Sequence, residues 1–307
     1  MFYNKFDYNK VCLENMDISL YGGIPKQYSS ISNKKFNNWE IPPWELIIFK
    51  QRLLGEGSFS KVYLAKWRET YVVAKIINKE ICNSKKKLVL REFDIMTKLH
   101  HPNIVQFLGY IDDPFIIVME YIPNNDLYKN IINLKKDKKI SIMKDILRGL
   151  AYIHNRKPDT LIHRDIKPTN ILLTNSKVAK ITDFGLSRFY NMEKINSHEN
   201  LNSLDVNHNK CDNLINEFSG FVGTERYMAP EVLKNLSNYN HKIDIYSCGI
   251  LLYELFENKK YISGSKFAWF WTPKKIKNII LTNMLSQNPL DRKEALDILK
   301  IMNHENI

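Results

Sequence analysis

A chain of 307 residues, 44% of them hydrophobic, can bury a substantial core and suits one catalytic unit better than a string of small modules. Its formal net charge is +12, but the lysines are spread along the sequence rather than gathered in one stripe, which reads as a solvated surface and not a nucleic-acid site. No apolar run reaches about eighteen residues, Met1-Phe2-Tyr3-Asn4-Lys5 has no leader character, and Cys12, Cys82, Cys211 and Cys248 are widely scattered; a membrane span, secretion, a disulfide framework and a zinc site are therefore not expected, and the chain reads as soluble and cytoplasmic.

Residues 1–43 read as an N-terminal extension, rich in Asn, Lys, Tyr and Ser up to about residue 38 and without a period, hence flexible. Trp39 to Leu46 leads into the first strand and reads as an aromatic latch. Leu54-Gly55-Glu56-Gly57-Ser58-Phe59-Ser60-Lys61-Val62 is strand, Gly-rich turn, strand, a form that lets backbone N–H groups approach a triphosphate. Val72 to Ile77 is a β-branched strand in which Lys75 is an anomaly unless its ammonium is paired. Val89, Glu92, Met96 and Leu99 follow the spacing of one helical face, so Glu92 is a carboxylate in an apolar stripe and must find a cation. A strand from Phe115 to Met119 then ends at Glu120-Tyr121-Ile122-Pro123. Ser141 to His154 reads as an amphipathic helix with Ile142, Ile146, Leu150 and Ile153 in the core.

His163-Arg164-Asp165-Ile166-Lys167-Pro168-Thr169-Asn170 is a polar loop between the apolar segments Leu161-Ile162 and Ile171 to Leu173. Asp183-Phe184-Gly185 follows a second β-like run, Val178 to Ile181. An Asp with an Asn suits a hard divalent cation that takes oxygen ligands; the remaining Asp and Lys suit phosphoryl transfer.

In this order the motifs resemble the signature set of the protein-kinase family, and the resemblance covers nearly the whole chain. It implies an α+β, two-lobed protein-kinase fold: a small antiparallel β-sheet lobe with one key helix (44–119), a hinge (120–123) and a larger, mainly helical lobe (124–307). By the same resemblance Asp165 accepts or orients the substrate hydroxyl proton, Lys167 neutralises the transferring phosphoryl group, Lys75 contacts phosphate with Glu92 as its partner, and Asn170 and Asp183 hold Mg²⁺, or Mn²⁺ in its place. ATP would lie against Leu54, Gly55, Glu56, Gly57, Ser58, Phe59, Ser60 and Val62. Val73 stands where an alanine usually covers the adenine, Met119 guards the back of that pocket, and the backbone of Glu120, Tyr121 and Ile122 binds the adenine edge. Leu172 joins these contacts, and Asp126 meets the ribose or caps the helix starting at Leu127.

Two departures stand out: Ser60 replaces the third glycine, and an Asn-rich insertion at about 189–218 lengthens the activation segment. Gly223 to Glu231 resembles the end of that segment. Lys167 together with Thr224 follows the serine/threonine pattern, and Arg164 suggests control by a phosphorylated loop residue, with Ser219 ahead of Ser197 and Ser203. Met96, Phe107, His163 and Phe184 resemble the apolar column of active kinases. Ile243 to Leu252 is apolar nearly all round, so it should be a buried helix in which Asp244 needs donors, by resemblance the backbone of the catalytic loop. Arg292 resembles the partner of Glu231, and the stretch from Glu254 to Arg292 looks abbreviated. Trp67, Leu127-Tyr128, Gly185 to Arg188 and Met228 point to the tyrosine-kinase-like group of serine/threonine kinases. The expected activity is MgATP-dependent phosphorylation of protein Ser and Thr, with protein substrates and an upstream activating kinase as partners. The alternatives are a pseudokinase scaffold and a small-molecule kinase.

Overall fold

Alternation of buried and open residues along β-branched runs builds the first part of the computed structural model, which describes residues 39–57, 60–78, 83–190, 225–234 and 239–307. The chain divides into two units, residues up to 80 with Leu108–Tyr121, and residues 81–107 with Ile122–Ile307. Ser58, Phe59, the extension before residue 39, the insertion from residue 191 onward, Gly223, Thr224, Ser197, Ser203 and Ser219 lie outside the described residues.

The first unit is built on a five-stranded sheet of β1 (Leu46–Glu56), β2 (Ser60–Trp67), β3 (Thr70–Ile77), β4 (Phe107–Ile111) and β5 (Ile116–Glu120), in the order β1-β2-β3-β5-β4. The pairs β1/β2, β2/β3 and β3/β5 are antiparallel. Val72 and Ala74 of β3 turn into a core with Ile41, Leu46, Ala65, Ile111, Ile116 and Val118, and Val73 and Lys75 turn the other way, as a period of two requires. In the entry segment Ile41 is buried, Trp39 half-buried and Trp44 exposed, so its deepest anchor is aliphatic, and the Ile41 N–H donates to Tyr110 O at 2.7 Å. The approach is so close that a Cβ on Gly109 would lie 2.6 Å from Ile41 Cδ1 and 2.7 Å from Trp39 O. Only glycine fits there.

The second unit holds α1 (Asn83–Met96), α2 (Leu127–Asn130), α3 (Lys136–His154), α4 (Pro230–Leu233), α5 (Lys242–Glu257), α6 (Lys274–Asn283) and α7 (Ala295–His304). The sequence reading placed α1 with the sheet; by its contacts it groups with this larger unit. Val89, Glu92 and Met96 are its buried face as expected, with Leu99 falling just beyond the helix end. Helix α3 begins at Lys136 rather than Ser141 because the charged run Lys136-Asp137-Lys138-Lys139 consists largely of good helix formers, with Asp137 in the first turn where the helix dipole favours it. Ile142, Ile146, Leu150 and Ile153 are fully buried, as is the central run of α5. Helix α5 ends at Asn258, in the left-handed conformation, and no helix or strand follows until α6. Two short antiparallel pairs, β6 (Thr160–Ile162) with β9 (Arg188–Tyr190) and β7 (Ile171–Leu173) with β8 (Ala179–Ile181), carry the polar loops. Among the described residues no helix is long and apolar enough to cross a membrane.

Candidate active site

The loop from His163 to Asn170 is fixed from below by Asp244. This aspartate is completely buried in α5, where an uncompensated carboxylate would be costly. Its Oδ2 accepts from the His163 N–H at 2.7 Å and from His154 Nε2–H at 2.9 Å, and its Oδ1 accepts from the Arg164 N–H at 2.8 Å. Burial alone would raise the Asp244 pKa, but the His154 hydrogen bond and the nearby His163 outweigh it and hold the carboxyl below its ordinary value. Burial pushes His154 down; it is the neutral partner, donating from Nε2, and its Nδ1 has no hydrogen-bond partner among the described residues. The expected backbone donors are thus present. Arg164 adopts φ 72° and Asp183 φ 66°, left-handed backbone that non-glycine residues hold at a cost and that collects at functional sites.

His163 ties the two polar loops together. Its Nδ1 accepts from the Asp165 N–H at 3.2 Å and its Nε2–H donates to Thr182 O at 3.1 Å, while its ring meets Phe184 edge-on at 4.8 Å. All four residues of the expected apolar column, Met96, Phe107, His163 and Phe184, are buried. The β7/β8 pairing, with Ile171 opposite Ile181, brings Asn170 and Asp183 to the same end of a hairpin, and the Thr182 N–H donates to Asn170 O at 3.0 Å.

Asp165 is buried. Its Oδ2 accepts from Asn170 Nδ2 at 2.8 Å and pairs with Lys167 Nζ at 2.7 Å, and Oδ1 has no hydrogen-bond partner among the described residues. Asn170 Nδ2 also donates to Asp165 O at 2.9 Å, so its amide nitrogen is engaged and its oxygen is the end open to a cation. Asp183 is exposed. A Cβ built on Gly185 would lie 3.3 Å from Asp183 Oδ1 and 3.6 Å from Glu92 Oε2, so two carboxylates face the same small space, an arrangement that calls for positive charge. Among the described residues no group of three or more His, Cys, Asp or Glu is arranged so that it could hold a metal ion. A divalent ion at Asn170 and Asp183 would therefore draw further oxygens from water and phosphate, as Mg²⁺ does.

In the first unit, cross-strand pairing places Val62 opposite Lys75, Val73 opposite Met119, and Lys75 opposite Ile117. Directly paired residues share a face, so four residues expected at the nucleotide, Val62, Val73, Lys75 and Met119, lie on one face of the sheet. The Gly57 N–H closes the turn onto Ser60 O at 2.9 Å, and Ser60 is buried. A Cβ on Gly55 would meet nothing within 4 Å, so packing within the chain does not demand glycine there, and room is left for a ligand to approach the backbone. Leu54, Glu56 and Gly57 are exposed; Glu120 and Tyr121 are half-buried and Ile122 is buried. In the second unit Asp126 and Leu172 form an antiparallel bridge, which brings these two expected contacts together. Asp126 is also the cap of α2, its Oδ1 accepting from the Lys129 N–H at 2.9 Å.

The protein kinase domain pattern matches residues 49–306. The chain belongs to the protein kinase family. Among curated proteins it is similar to serine/threonine-protein kinase VIK of Arabidopsis thaliana, 36% identical over 233 residues that make 72% of this chain and 48% of that protein. It is also similar to mitogen-activated protein kinase kinase kinase 7 of Homo sapiens, 31% identical over 277 residues, 83% of this chain and 41% of that protein. A third relative, serine/threonine-protein kinase CTR1 of Arabidopsis thaliana, is 33% identical over 222 residues, 69% of this chain and 24% of that protein. The chain spans about half the length, or less, of these relatives, and they agree with the tyrosine-kinase-like group read from the motifs.

Two kinase-fold residues escaped the sequence reading. His154 lies one helical turn beyond Leu150, on the same buried face, and that spacing was the signal for it. Arg91 donates from its guanidinium to Ser187 O, tying α1 to the residues after Phe184; nothing in the local sequence marks that contact. The expected Arg292 pair is present, with Nη1 and Nη2 donating to the two Glu231 oxygens at 2.6 and 2.8 Å.

Proposed function

We propose that this chain transfers the γ-phosphoryl group of MgATP to serine and threonine hydroxyls of proteins. The observation that carries this reading is Asp165, a buried carboxylate with one oxygen held by Lys167 and Asn170 and the other open to a donor. A buried acceptor without a donor costs free energy, and an incoming hydroxyl removes that cost while being oriented for attack. Asp165 Oδ1 takes the hydroxyl proton as the new oxygen–phosphorus bond forms and the bond from the γ-phosphorus to the β,γ-bridging oxygen breaks, ADP leaving with that electron pair, and Lys167 neutralises charge on the transferring group. Asn170, through its amide oxygen, and Asp183 hold the metal ion, Mg²⁺ or Mn²⁺, whose charge offsets that of the phosphates. The Gly-rich turn and the face carrying Val62, Val73, Lys75 and Met119 receive the nucleotide; the assignment of Asp126 and Leu172 to the nucleotide, and of Glu92 to Lys75, rests on the family resemblance alone.

Lys167, two residues after Asp165, and the names of the relatives support serine and threonine as acceptors. Arg164, whose guanidinium lies 5.6 Å from the Tyr239 ring centre, is assigned to phosphate recognition when an upstream kinase modifies the activation segment. The test is radiolabelled transfer from MgATP to the chain and to a generic protein substrate, beside Asp165→Asn and Lys75→Met, with phosphoamino-acid analysis. Phosphoserine or phosphothreonine that disappears in both variants is expected. Nucleotide binding without transfer, even after treatment with activating kinases, would make the chain a pseudokinase scaffold.

A further inference from the structure

The segment that follows α5 has no part in the proposed reaction. From Asn258 to Lys277 it contains six lysines, at 259, 260, 266, 274, 275 and 277, and no Asp or Glu. Three large apolar side chains in it stand in solvent: Ile262 is 73% exposed, Phe270 74% and Trp271 75%. Their neighbours in sequence turn inward. The Phe267 ring stacks on Tyr261 at 4.7 Å, and the Trp269 ring meets Tyr253 edge-on at 4.9 Å. The loop therefore has an aromatic base of its own beneath its exposed rings.

The exposed pair is held in place before any partner arrives. The buried Glu257 carboxylate accepts from the backbone N–H groups of Phe270 at 2.8 Å, Trp271 at 3.1 Å and Thr272 at 2.9 Å, and from the Thr272 hydroxyl at 2.5 Å. Lys259 Nζ lies 5.0 Å from the Phe270 ring centre. A surface ordered in advance loses little conformational freedom on binding, and large apolar side chains exposed together mark interaction sites.

We propose that this loop seats the chain on an anionic lipid bilayer, with Ile262, Phe270 and Trp271 entering the boundary between headgroups and acyl chains and the lysines facing the headgroups. Aromatic rings favour that boundary, and lysines next to it are drawn to anionic headgroups. Two features favour a bilayer over an acidic protein segment. Ile262, Phe270 and Trp271 are three separate large apolar side chains exposed along one short segment, a spread of contacts that a continuous bilayer boundary takes up without a shaped pocket for each. The net charge of +12 also acts over an extended negative plane, which a short acidic peptide does not offer. This inference does not depend on the phosphoryl-transfer reading.

The experiment is co-sedimentation of the full chain with vesicles of phosphatidylcholine alone and of phosphatidylcholine with phosphatidylserine at about 3:1, a mixture with the negative surface potential the lysines require. Binding to the mixed vesicles that weakens with added salt, and little to the neutral ones, is expected. The Phe270→Ser/Trp271→Ser double variant and the Lys259→Glu/Lys266→Glu double variant should each lower the partition coefficient at least about tenfold, with thermal unfolding confirming that they fold. Leu290→Ser removes a side chain that is 85% exposed but lies outside the loop, and should change nothing. Soluble polyglutamate is the competing probe. Failure of the native chain to bind mixed vesicles at low salt, or binding unaltered by loss of both aromatics, would overturn the proposal. Polyglutamate binding that needs both aromatics, without vesicle binding, would give the surface to an acidic protein segment.

Discussion

Asp244 shows how one carboxylate can set the geometry of a loop that is remote in sequence. It receives two consecutive backbone N–H groups and one imidazole N–H, and removing it strands all three in a dry interior. Asp244→Ala leaves three buried donors unsatisfied, each costing about 1–3 kcal/mol, and Asp244→Asn should cost less, because an amide oxygen still accepts; urea denaturation of both variants checks this. Asp165→Asn should behave differently, lowering the transfer rate by about 10²–10⁴ while the melting temperature stays close to that of the parent, since Asp165 Oδ1 contributes no internal hydrogen bond; a steady-state assay beside a thermal melt separates the two effects. At this scale the sequence is informative where polar side chains are concentrated, and the structure brings Asp165, Lys167 and Asn170 together. Asp165, Lys167, Asn170 and Asp183 announce themselves by type and spacing, and a buried aspartate in an apolar helix announces its need for donors. It was silent about which donor completes Asp244, because His154 and Asp244 are brought together by packing of α3 on α5, not by any local pattern.

Helices and strands were legible in proportion to their periodicity. Helix α5 is apolar nearly all round and is buried all round; the β7/β8 hairpin follows from two short apolar runs with polar ends. The beginning of α3 is hidden because Lys136-Asp137-Lys138-Lys139 has helical propensity but no apolar period, and the anchor of the entry segment is hidden because the burial of Ile41 depends on the absence of a side chain at the distant Gly109. The loop after α5 has no period at all, and its order comes from Glu257. Burial raises and the Thr272 hydroxyl and three amides lower the Glu257 pKa, with a net shift downward. A carboxyl depressed in the folded chain contributes stability above its unfolded value and loses it as pH falls through the folded one. Amide exchange at Phe270, Trp271 and Thr272 should accordingly accelerate on acidification below about pH 4.3, the ordinary glutamate value, beyond the change in intrinsic exchange. Glu257→Gln should show faster exchange at neutral pH.

For the whole chain, the same linkage predicts a two-stage acid response. His154 and His101 are both pushed down, each first by burial; the unfolded chain therefore takes up protons that the folded chain refuses, and stability begins to fall below about pH 6.5, the unperturbed histidine value. The second stage comes from carboxyls. Glu294 is held down to about 2, mainly by its hydrogen bond with His241, against burial and with Lys242 assisting, and Glu257 and Asp244 are shifted in the same direction. The urea midpoint measured from pH 8 to pH 3 should decline in these two steps, and His154→Gln should flatten the upper one without abolishing it, because His101 remains. Arg292→Ala, which leaves the buried Glu231 without its bidentate partner, should cost about 3–5 kcal/mol, read as a fall in melting temperature at neutral pH.

The lysines after α5 also bear on how the chain meets a protease. Trypsin cuts beside Lys, and residues 258–273 offer three such positions, Lys259, Lys260 and Lys266, in a stretch without helix or strand, normally the first place to be nicked. Cleavage requires the backbone to open locally, and here the amides of three successive residues are clamped by one buried carboxylate. The folded chain should keep this stretch intact while more loosely held lysines are cut, and Glu257→Gln should turn it into an early site of digestion.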